Sequence, residues 1–168
     1  MSGLVVYFSR NGENYFGGEL KNLEKGNTEV IAEYIHELTG ADLFKVEPSV
    51  EYPIDYMECI DVAKKEQKQN ARPEIKETLN DISSYDTIYI GFPNWWGTLP
   101  MPMFTQLEQL DFGGKTVKPF VTHEGSGFGT SKKDLKKLCA GADIKNGLSI
   151  PGVNVGDAKG TVEAWINE

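Results

Sequence analysis

The sequence contains few of the residues that cross-link a protein or anchor it in a membrane. Its 168 residues include two cysteines, Cys59 and Cys139, and no Cys-x-x-Cys spacing that would indicate a zinc site or a redox pair. No apolar run reaches the roughly 18 residues that a membrane-spanning helix requires. Met1 and Ser2 lead almost directly into an apolar strand, which leaves no room for a signal peptide. We therefore expect a soluble, cytoplasmic protein.

Several signatures of catalysis and nucleotide binding are also missing. The absence of Gly-x-x-x-x-Gly-Lys-Ser/Thr argues against a nucleoside triphosphatase, and the absence of Gly-x-Gly-x-x-Gly after the first strand argues against an ordinary dinucleotide fold. His36 and His123 are the two histidines, so a transition-metal site has little support. Ser126 follows Glu124-Gly125, which departs from the Gly-x-Ser-x-Gly nucleophile signature. We assign no catalytic residue and no metal ligand.

Composition and charge limit the class of protein further. Hydrophobic residues make up 39% of the chain and charged residues 25%, which is typical of a globular protein. The length predicts one domain over residues 1–168. The net charge of -8 argues against binding to nucleic acid or to anionic membranes, and it favours a protein partner with a basic docking surface.

The stretch 86–100 is the most informative part of the chain. Residues 87–92 are β-branched and aromatic, which predicts a buried strand, and Pro93 ends it. Trp95 and Trp96 then lie on a loop at the carboxyl end of a strand, where ligands bind in open α/β sheets. Both indoles could cap the core. We accept that interpretation for one of them, and for the pair beside Gly97 we favour stacking against a flat ligand.

Strand and helix patterns alternate along the chain. This order predicts an α/β fold in which five parallel strands form a doubly wound sheet with helices on both faces. Residues 13–26 show no clear periodicity, and we interpret them as an inserted surface loop. Asn27 is a plausible helix N-cap, and Gly113-Gly114 is expected to end the helix that follows the tryptophan loop. The predicted strands are residues 4–8, 41–48, 87–92, 116–122 and 143–150, and the helices begin near residues 27, 57, 103, 131 and 158.

Three loops follow the first, third and fourth strands and should meet at one edge of the sheet. The first combines residues 9–11 with the helix start at Asn27-Thr28, where backbone N–H groups and the helix dipole favour a phosphate. The second is the tryptophan loop, and the third is the glycine-rich segment 122–129. A mononucleotide with a large flat ring fits these features.

Four segments resemble the flavodoxin family, most closely the bacterial flavodoxin-like proteins with a Trp-Trp-Gly loop. They are Tyr7-Phe8-Ser9-Arg10, Gly26-Asn27-Thr28, Gly91-Phe92-Pro93-Asn94-Trp95-Trp96-Gly97 and Thr122-His123-Glu124-Gly125-Ser126-Gly127. The resemblance implies a flavodoxin-like sheet of strand order 2-1-3-4-5 and noncovalent binding of FMN. It differs in one respect: residues 13–25 split the phosphate loop and are available as a lid or a contact surface.

The resemblance also implies which residues bind the cofactor. The phosphate would be held by Ser9, Arg10, Asn27 and Thr28. One side of the flavin ring would be lined by Pro93, Asn94, Trp95, Trp96 and Gly97. The other side would be lined by Thr122, His123, Glu124, Gly125, Ser126 and Gly129.

These features lead to three functional hypotheses. The leading one is an electron-transfer protein that shuttles electrons between redox partners through FMN, whose potentials are tuned by the protein. The second is a small FMN-dependent reductase of quinones that uses NADH or NADPH, although no nicotinamide-binding motif is present. The third, an interaction module without flavin, would require the three loops to be a coincidence. We expect a carrier more than a true enzyme.

Overall fold

The central sheet of the computed structural model, which describes residues 2–168 and leaves Met1 outside, consists of parallel strands. Its strands are β1 Gly3–Tyr7, β4 Asp42–Lys45, β5 Thr87–Pro93, β6 Thr116–His123, β7 Asp143–Ile144 and β8 Leu148–Pro151, while β2 and β3 form a separate two-stranded sheet. The strand order is β4-β1-β5-β6, followed by β7 and β8, which both pair with β6. If β7 and β8 are counted as two halves of one fifth strand, this is the predicted order 2-1-3-4-5, which is confirmed.

Helices cover both faces of this sheet, because the side chains of each strand alternate between two cores. Leu4 and Val6 of β1 enter one core, while Val5 enters the other. The helices are α1 Asn27–Thr39, α2 Tyr56–Lys68, α3 Met101–Leu107, α4 Ser131–Leu138 and α5 Lys159–Ile166, with a 3-10 helix at Gly152–Asp157. Residues of α3 and α4 contribute to the first core, and residues of α1 and α5 contribute to the second. No helix within residues 2–168 is long and apolar enough to cross a membrane.

Gly91 allows a close approach in the middle of the sheet. The ring of Phe120 occupies the space beside it. Gly91 and Phe120 are paired in register on β5 and β6, and a Cβ at position 91 would overlap that ring. Any larger residue would therefore displace a phenylalanine that is 1% exposed.

The insertion is a β-hairpin, and the prediction of a surface loop without regular structure was wrong. β2 Gly12–Phe16 pairs antiparallel with β3 Glu19–Leu23. The turn is Gly17-Gly18, in which both residues have positive φ, of 66° and 85°. Two glycines between short strands are a recognised signal for a tight hairpin turn. The strands were missed because their outer residues are mostly polar and show no clear alternation.

Three predicted boundaries also differ from the structure. Gly26, not Asn27, is the N-cap of α1, and Asn27 is the first residue of the helix. α3 ends at Leu107 rather than at Gly113-Gly114. The N–H groups of Gln109 and Leu110 bond to the carbonyls of Gln106 and Leu107, three positions back, which tightens the chain after the helix. Leu110 is nearly buried in that turn, at 9% exposure. It therefore continues the apolar spacing of α3, which is why the sequence predicted a longer helix.

The third difference concerns the fifth strand, which is interrupted between β7 and β8. Gly147 lies in this gap, and a Cβ there would overlap the ring of Phe128. Phe128 belongs to the loop after β6, so the interruption gives that loop room to pack against the sheet.

Candidate functional site

The three predicted loops meet at one edge of the sheet. Register pairs Tyr7 with Gly91 and Pro93 with Thr122, so β1, β5 and β6 end side by side. An open cleft of about 320 Å³ lies at this edge. Its walls include ten of the fifteen predicted site residues: Asn27, Pro93, Asn94, Trp95, Trp96, Gly97, Thr122, His123, Glu124 and Ser126.

The N-terminus of α1 has two backbone donors to offer an anion. The first N–H groups of a helix lack partners within the helix. Here the N–H of Glu29 donates to Ser9 Oγ at 3.0 Å, and the N–H of Val30 donates to the Gly26 carbonyl. Within residues 2–168, no protein acceptor is found for the N–H groups of Asn27 and Thr28. Together with the positive end of the helix dipole, they suit a phosphate group.

The hairpin does not separate the two halves of this phosphate region. Gly26 lies so close to Ser9 and Arg10 that a Cβ on it would overlap Ser9 Oγ and the Arg10 carbonyl. The chain therefore leaves the end of β1 and returns to the same place after the hairpin, and the absence of a side chain at Gly26 is what allows the contact.

A pair of buried hydroxyl groups connects α1 with β6. Thr28 Oγ1 lies 2.8 Å from Thr122 Oγ1, and the two residues are 1% and 4% exposed. Only one of the two hydroxyl protons is used in their mutual hydrogen bond. The other remains available to a ligand at the helix N-terminus.

The guanidinium of Arg10 lies beside the predicted phosphate region but contacts other groups. It donates to the carbonyls of Glu13 and Ile54, at 3.1 and 2.9 Å. It thus ties the start of the hairpin to the segment before α2, and Arg10 is not among the residues that line the cleft. Direct contact between Arg10 and phosphate stays a prediction.

Asn94 holds the second loop against the third. Its Oδ1 accepts from the N–H of Gly97 at 2.8 Å, and its Nδ2 donates to the carbonyl of Gly127 at 2.7 Å. The Gly97 carbonyl in turn accepts from the N–H of Thr130 at 2.6 Å. Gly129, with φ of 55°, is packed against Gly97 so closely that a Cβ would overlap the Gly97 carbonyl. The cleft is therefore held in shape by protein contacts alone.

The two indoles have different roles. Trp95 packs edge-on against Phe8 and Tyr52, with ring centroids 5.0 and 5.1 Å away, so it caps the core. Trp96 is 45% exposed, and its backbone has a positive φ of 53°, which is uncommon for a bulky residue. Its Nε1 donates to the Ile60 carbonyl at 2.9 Å. The fold thus holds an exposed indole in an unfavourable backbone conformation at the cleft, which is typical of a functional position.

His123 braces the third loop. Its Nδ1 accepts from the N–H of Gly125 at 2.8 Å, and its Nε2 lies 2.9 Å from Ser149 Oγ. Because Nδ1 accepts, the ring is neutral and carries its proton on Nε2. Burial lowers the pKa of His123, while the neighbouring Glu124 raises it to a smaller extent. Both ring nitrogens are engaged, so His123 does not activate Ser126, in agreement with the absence of a hydrolase signature.

The hairpin, whose residues the sequence left available as a lid or a contact surface, supplies one wall of the cleft. Asn14 and Tyr15 of the hairpin, with Tyr56 of α2, line the cleft together with the predicted residues. The rings of Tyr15 and Tyr56 meet edge-on at 4.9 Å, and burial raises the pKa of Tyr56. At the hairpin tip, the N–H of Gly18 donates to Glu124 at 3.3 Å. The Gly17-Gly18 turn was the available signal for this wall.

Metal and thiol chemistry find no support in the part of the chain that the structure describes. It contains no cluster of three or more potential metal ligands. Cys59 and Cys139 are both buried and unpaired. Burial raises the pKa of the Cys139 thiol to about 12, which makes it a poor nucleophile.

Comparisons with known proteins agree with this fold. A candidate flavoprotein from Bacteroides uniformis is 29% identical to the chain with a TM-score of 0.79, over 99% of this chain and 98% of that one. A flavoprotein from Lactobacillus acidophilus in complex with FMN is 23% identical, with a TM-score of 0.65 and coverages of 93% and 97%. A Fusobacterium nucleatum flavodoxin bound to flavin mononucleotide shares the fold at 13% identity and a TM-score of 0.57, with coverages of 99% and 95%.

None of the curated proteins matches the chain. A family model described as flavodoxin matches residues 22–168. That match spans most of the chain, which therefore belongs to the flavodoxin family.

Proposed function

We propose that this protein binds FMN noncovalently and carries electrons between redox partners. The observation that supports this most is the combination, in one cleft, of an anion-binding helix end and an exposed indole. Asn27 and Thr28 offer backbone N–H groups at one end, while Trp96 offers an aromatic face on the tryptophan loop. Similar folds from Lactobacillus acidophilus and Fusobacterium nucleatum are described with FMN bound, which supports the choice of cofactor.

Each part of the cleft has a role in this proposal. The N–H groups of Asn27 and Thr28 bind the phosphate, with Ser9 holding the first turn of the helix in place. Trp96 packs against the flat ring, and Asn94 keeps the two flanking loops at a fixed separation. Bound FMN would supply the electron-transfer chemistry. A cleft held in shape by its own hydrogen bonds loses little conformational entropy when the ligand binds.

A carrier is favoured over an enzyme because the imidazole of the cleft is already engaged: both ring nitrogens of His123 take part in hydrogen bonds within the third loop and to Ser149. One observation favours the second candidate, a reductase of quinones. Tyr15 and Tyr56 form an aromatic wall along the cleft, and such a wall would suit a small flat acceptor laid beside the ring.

Flavin titration tests the cofactor assignment. The apoprotein should bind FMN much more tightly than riboflavin, because riboflavin has no phosphate to occupy the helix end. FAD should also bind more weakly than FMN, since its adenylate would have to pass the hairpin at this position. Equal affinities for FMN and riboflavin would contradict the phosphate assignment.

Turnover separates carrier from reductase. The FMN-loaded protein is mixed with NADH or NADPH and a neutral quinone, without any protein partner. A carrier should be reduced slowly under these conditions. Turnover at enzyme-like rates, insensitive to added salt, would favour the reductase.

A further inference from the structure

The charge of this acidic protein is strongly segregated. Residues 64–72 carry four cationic side chains and one carboxylate, and α4 has the same balance. The two segments together hold +6, so the net charge of -8 leaves -14 for the rest of the chain. The cations are Lys64, Lys65, Lys68, Arg72, Lys132, Lys133, Lys136 and Lys137. Arg72 pairs with Glu108, and within residues 2–168 none of these lysines pairs with a carboxylate.

Both basic segments adjoin the tryptophan loop. Gln67, in the first segment, donates from Nε2 to the Trp96 carbonyl at 3.0 Å. Thr130, directly before α4, donates from its N–H and its Oγ1 to the Gly97 carbonyl, at 2.6 and 3.1 Å. A polar cavity of about 470 Å³ lies between the segments and is lined by Arg72 from one and Lys137 from the other. The cations therefore form one continuous face beside the candidate flavin cleft.

An exposed apolar patch lies at the edge of this face. Ile54, Met57 and Trp96 are 86%, 52% and 45% exposed. Met57, Lys64 and Lys68 fall on one stripe of α2, because seven and eleven residues are close to whole numbers of helical turns. Lys64 Nζ lies 4.7 Å from the centroid of the Trp96 ring. Protein–protein interfaces usually combine apolar side chains with polar and charged ones, as the apolar patch and the adjoining basic face do here.

We propose that this basic face, formed by residues 64–72, Trp96 and α4, is the docking surface for a redox partner with an acidic surface. The proposal rests on the proposed function, since docking here brings a partner to the flavin cleft. Two carboxylates, Glu66 and Asp134, belong to the two basic segments, and Asp61 and Glu108 lie beside them. Asp55 and Glu58 lie further away, at the start of α2. Glu66 accepts a hydrogen bond from the Tyr52 hydroxyl. Glu108 is bonded to Arg72 and Asp134 to the Thr98 hydroxyl. The local charge thus favours an acidic partner, in place of the basic partner that the net charge favoured.

Charge reversal on α4 tests the proposal on the FMN-loaded protein. The test variant is Lys133→Glu with Lys137→Glu, which breaks no ion pair among the described residues. The control variant is Lys145→Glu with Lys159→Glu, which makes the same change in net charge away from the basic face. It breaks two ion pairs, with Asp143 and Glu37, but both are exposed and contribute little to stability. Neither pair belongs to the flavin cleft.

Two probes with the same haem are used as electron acceptors. One is a basic c-type cytochrome, and the other is the same cytochrome after succinylation of its lysines, which makes it acidic. Each fully reduced flavin gives up two electrons and reduces two ferric haems to the ferrous state. Rates are measured by stopped flow at about 0.1 M ionic strength, where the Debye length is about 10 Å. This is shorter than the radius of gyration of a chain of this length, which is about 15 Å, so charges on the far side of the domain are screened.

We expect the test variant to reduce the acidic cytochrome at least tenfold more slowly than the parent protein, and the control variant to change that rate less than twofold. The difference should disappear at 1 M salt, where the Debye length is about 3 Å. Equal losses in both variants, or an unchanged rate in the test variant, would overturn the proposal. If the protein retains no FMN, or reduces neither cytochrome, the proposed function fails instead.

Discussion

Replacing Thr28 by valine should weaken the binding of FMN much more than the binding of riboflavin. Valine has the shape of threonine but lacks the hydroxyl, so the change removes one hydrogen-bonding group and little volume. The structure places this hydroxyl at the first turn of α1, 2.8 Å from the hydroxyl of Thr122. If Thr122 donates to Thr28, the proton of Thr28 is free to donate to the phosphate.

Two effects of this substitution have to be separated. A hydrogen bond to a charged group contributes roughly 1.5–3 kcal/mol, so its loss should lower the affinity for FMN by roughly 10- to 150-fold. The change also leaves the Thr122 hydroxyl, which is 4% exposed, without a partner. An unpaired buried hydroxyl costs about 1–3 kcal/mol of folding free energy. That cost is the same for both flavins and therefore cancels from the ratio of their affinities.

Fluorescence titration with FMN and riboflavin measures this ratio, and urea unfolding of the apoprotein measures the cost to stability. Riboflavin affinity should change less than about threefold, because a flavin without phosphate does not use the lost group. The double variant with Thr122→Val is the control. It removes both hydroxyls and should recover most of the lost stability, since apolar groups of the same shape leave nothing unpaired. Equal losses of affinity for the two flavins would refute the assignment of Thr28 to the phosphate.

Three further substitutions test the two indoles and the histidine. Trp95→Ala should cost about 3 kcal/mol of unfolding free energy in the apoprotein, as expected for a core aromatic, whereas Trp96→Ala should cost less than about 1 kcal/mol and restore flavin fluorescence. The opposite pattern would exchange the roles assigned to the two residues. For His123, the lowered pKa means that its contribution to stability is present above pH of about 6.5 and is lost as the pH falls through the folded-state pKa. FMN affinity should therefore fall between pH 7 and pH 5, because a protonated His123 no longer braces the third loop. His123→Asn keeps an acceptor for the N–H of Gly125 and should flatten that pH dependence. An unchanged pH dependence in the variant would contradict the role of His123 in bracing the loop.

The sequence allowed the architecture to be predicted because the parallel strands are buried on both faces. Their apolar runs are bounded by glycine and proline, and the helices between them carry regular apolar stripes. The tryptophan loop was predictable for a similar reason: Pro93 ends a strand, and residues that follow such a strand lie at the carboxyl edge of the sheet. The packing of Trp95 against Phe8 and Tyr52 agrees with the interpretation that one of the two indoles caps the core. Stacking of Trp96 against a flat ligand stays a prediction.

Contacts between distant segments could not be predicted from local pattern. Thr28 and Thr122 are 94 positions apart, and nothing in either segment indicates that their hydroxyls meet. The clash that makes Gly129 necessary involves the carbonyl of Gly97, which lies on another loop. The basic face could not be predicted for the same reason. Its two segments are separated by about a third of the chain, and the negative net charge gives no indication that they meet.

The hairpin shows how an insertion can leave a binding site intact and still change its surroundings. Its two ends meet where Gly26 packs against Ser9, so the N-terminus of α1 keeps its position next to β1. The hairpin then extends over the cleft: Tyr15 contacts Tyr56 on one side, and Gly18 bonds to Glu124 on the other. The inserted residues thereby form one wall of the cleft, while Trp96 remains exposed. On the proposed function, a redox partner would therefore approach the flavin from the Trp96 side, which is the side that the basic face adjoins.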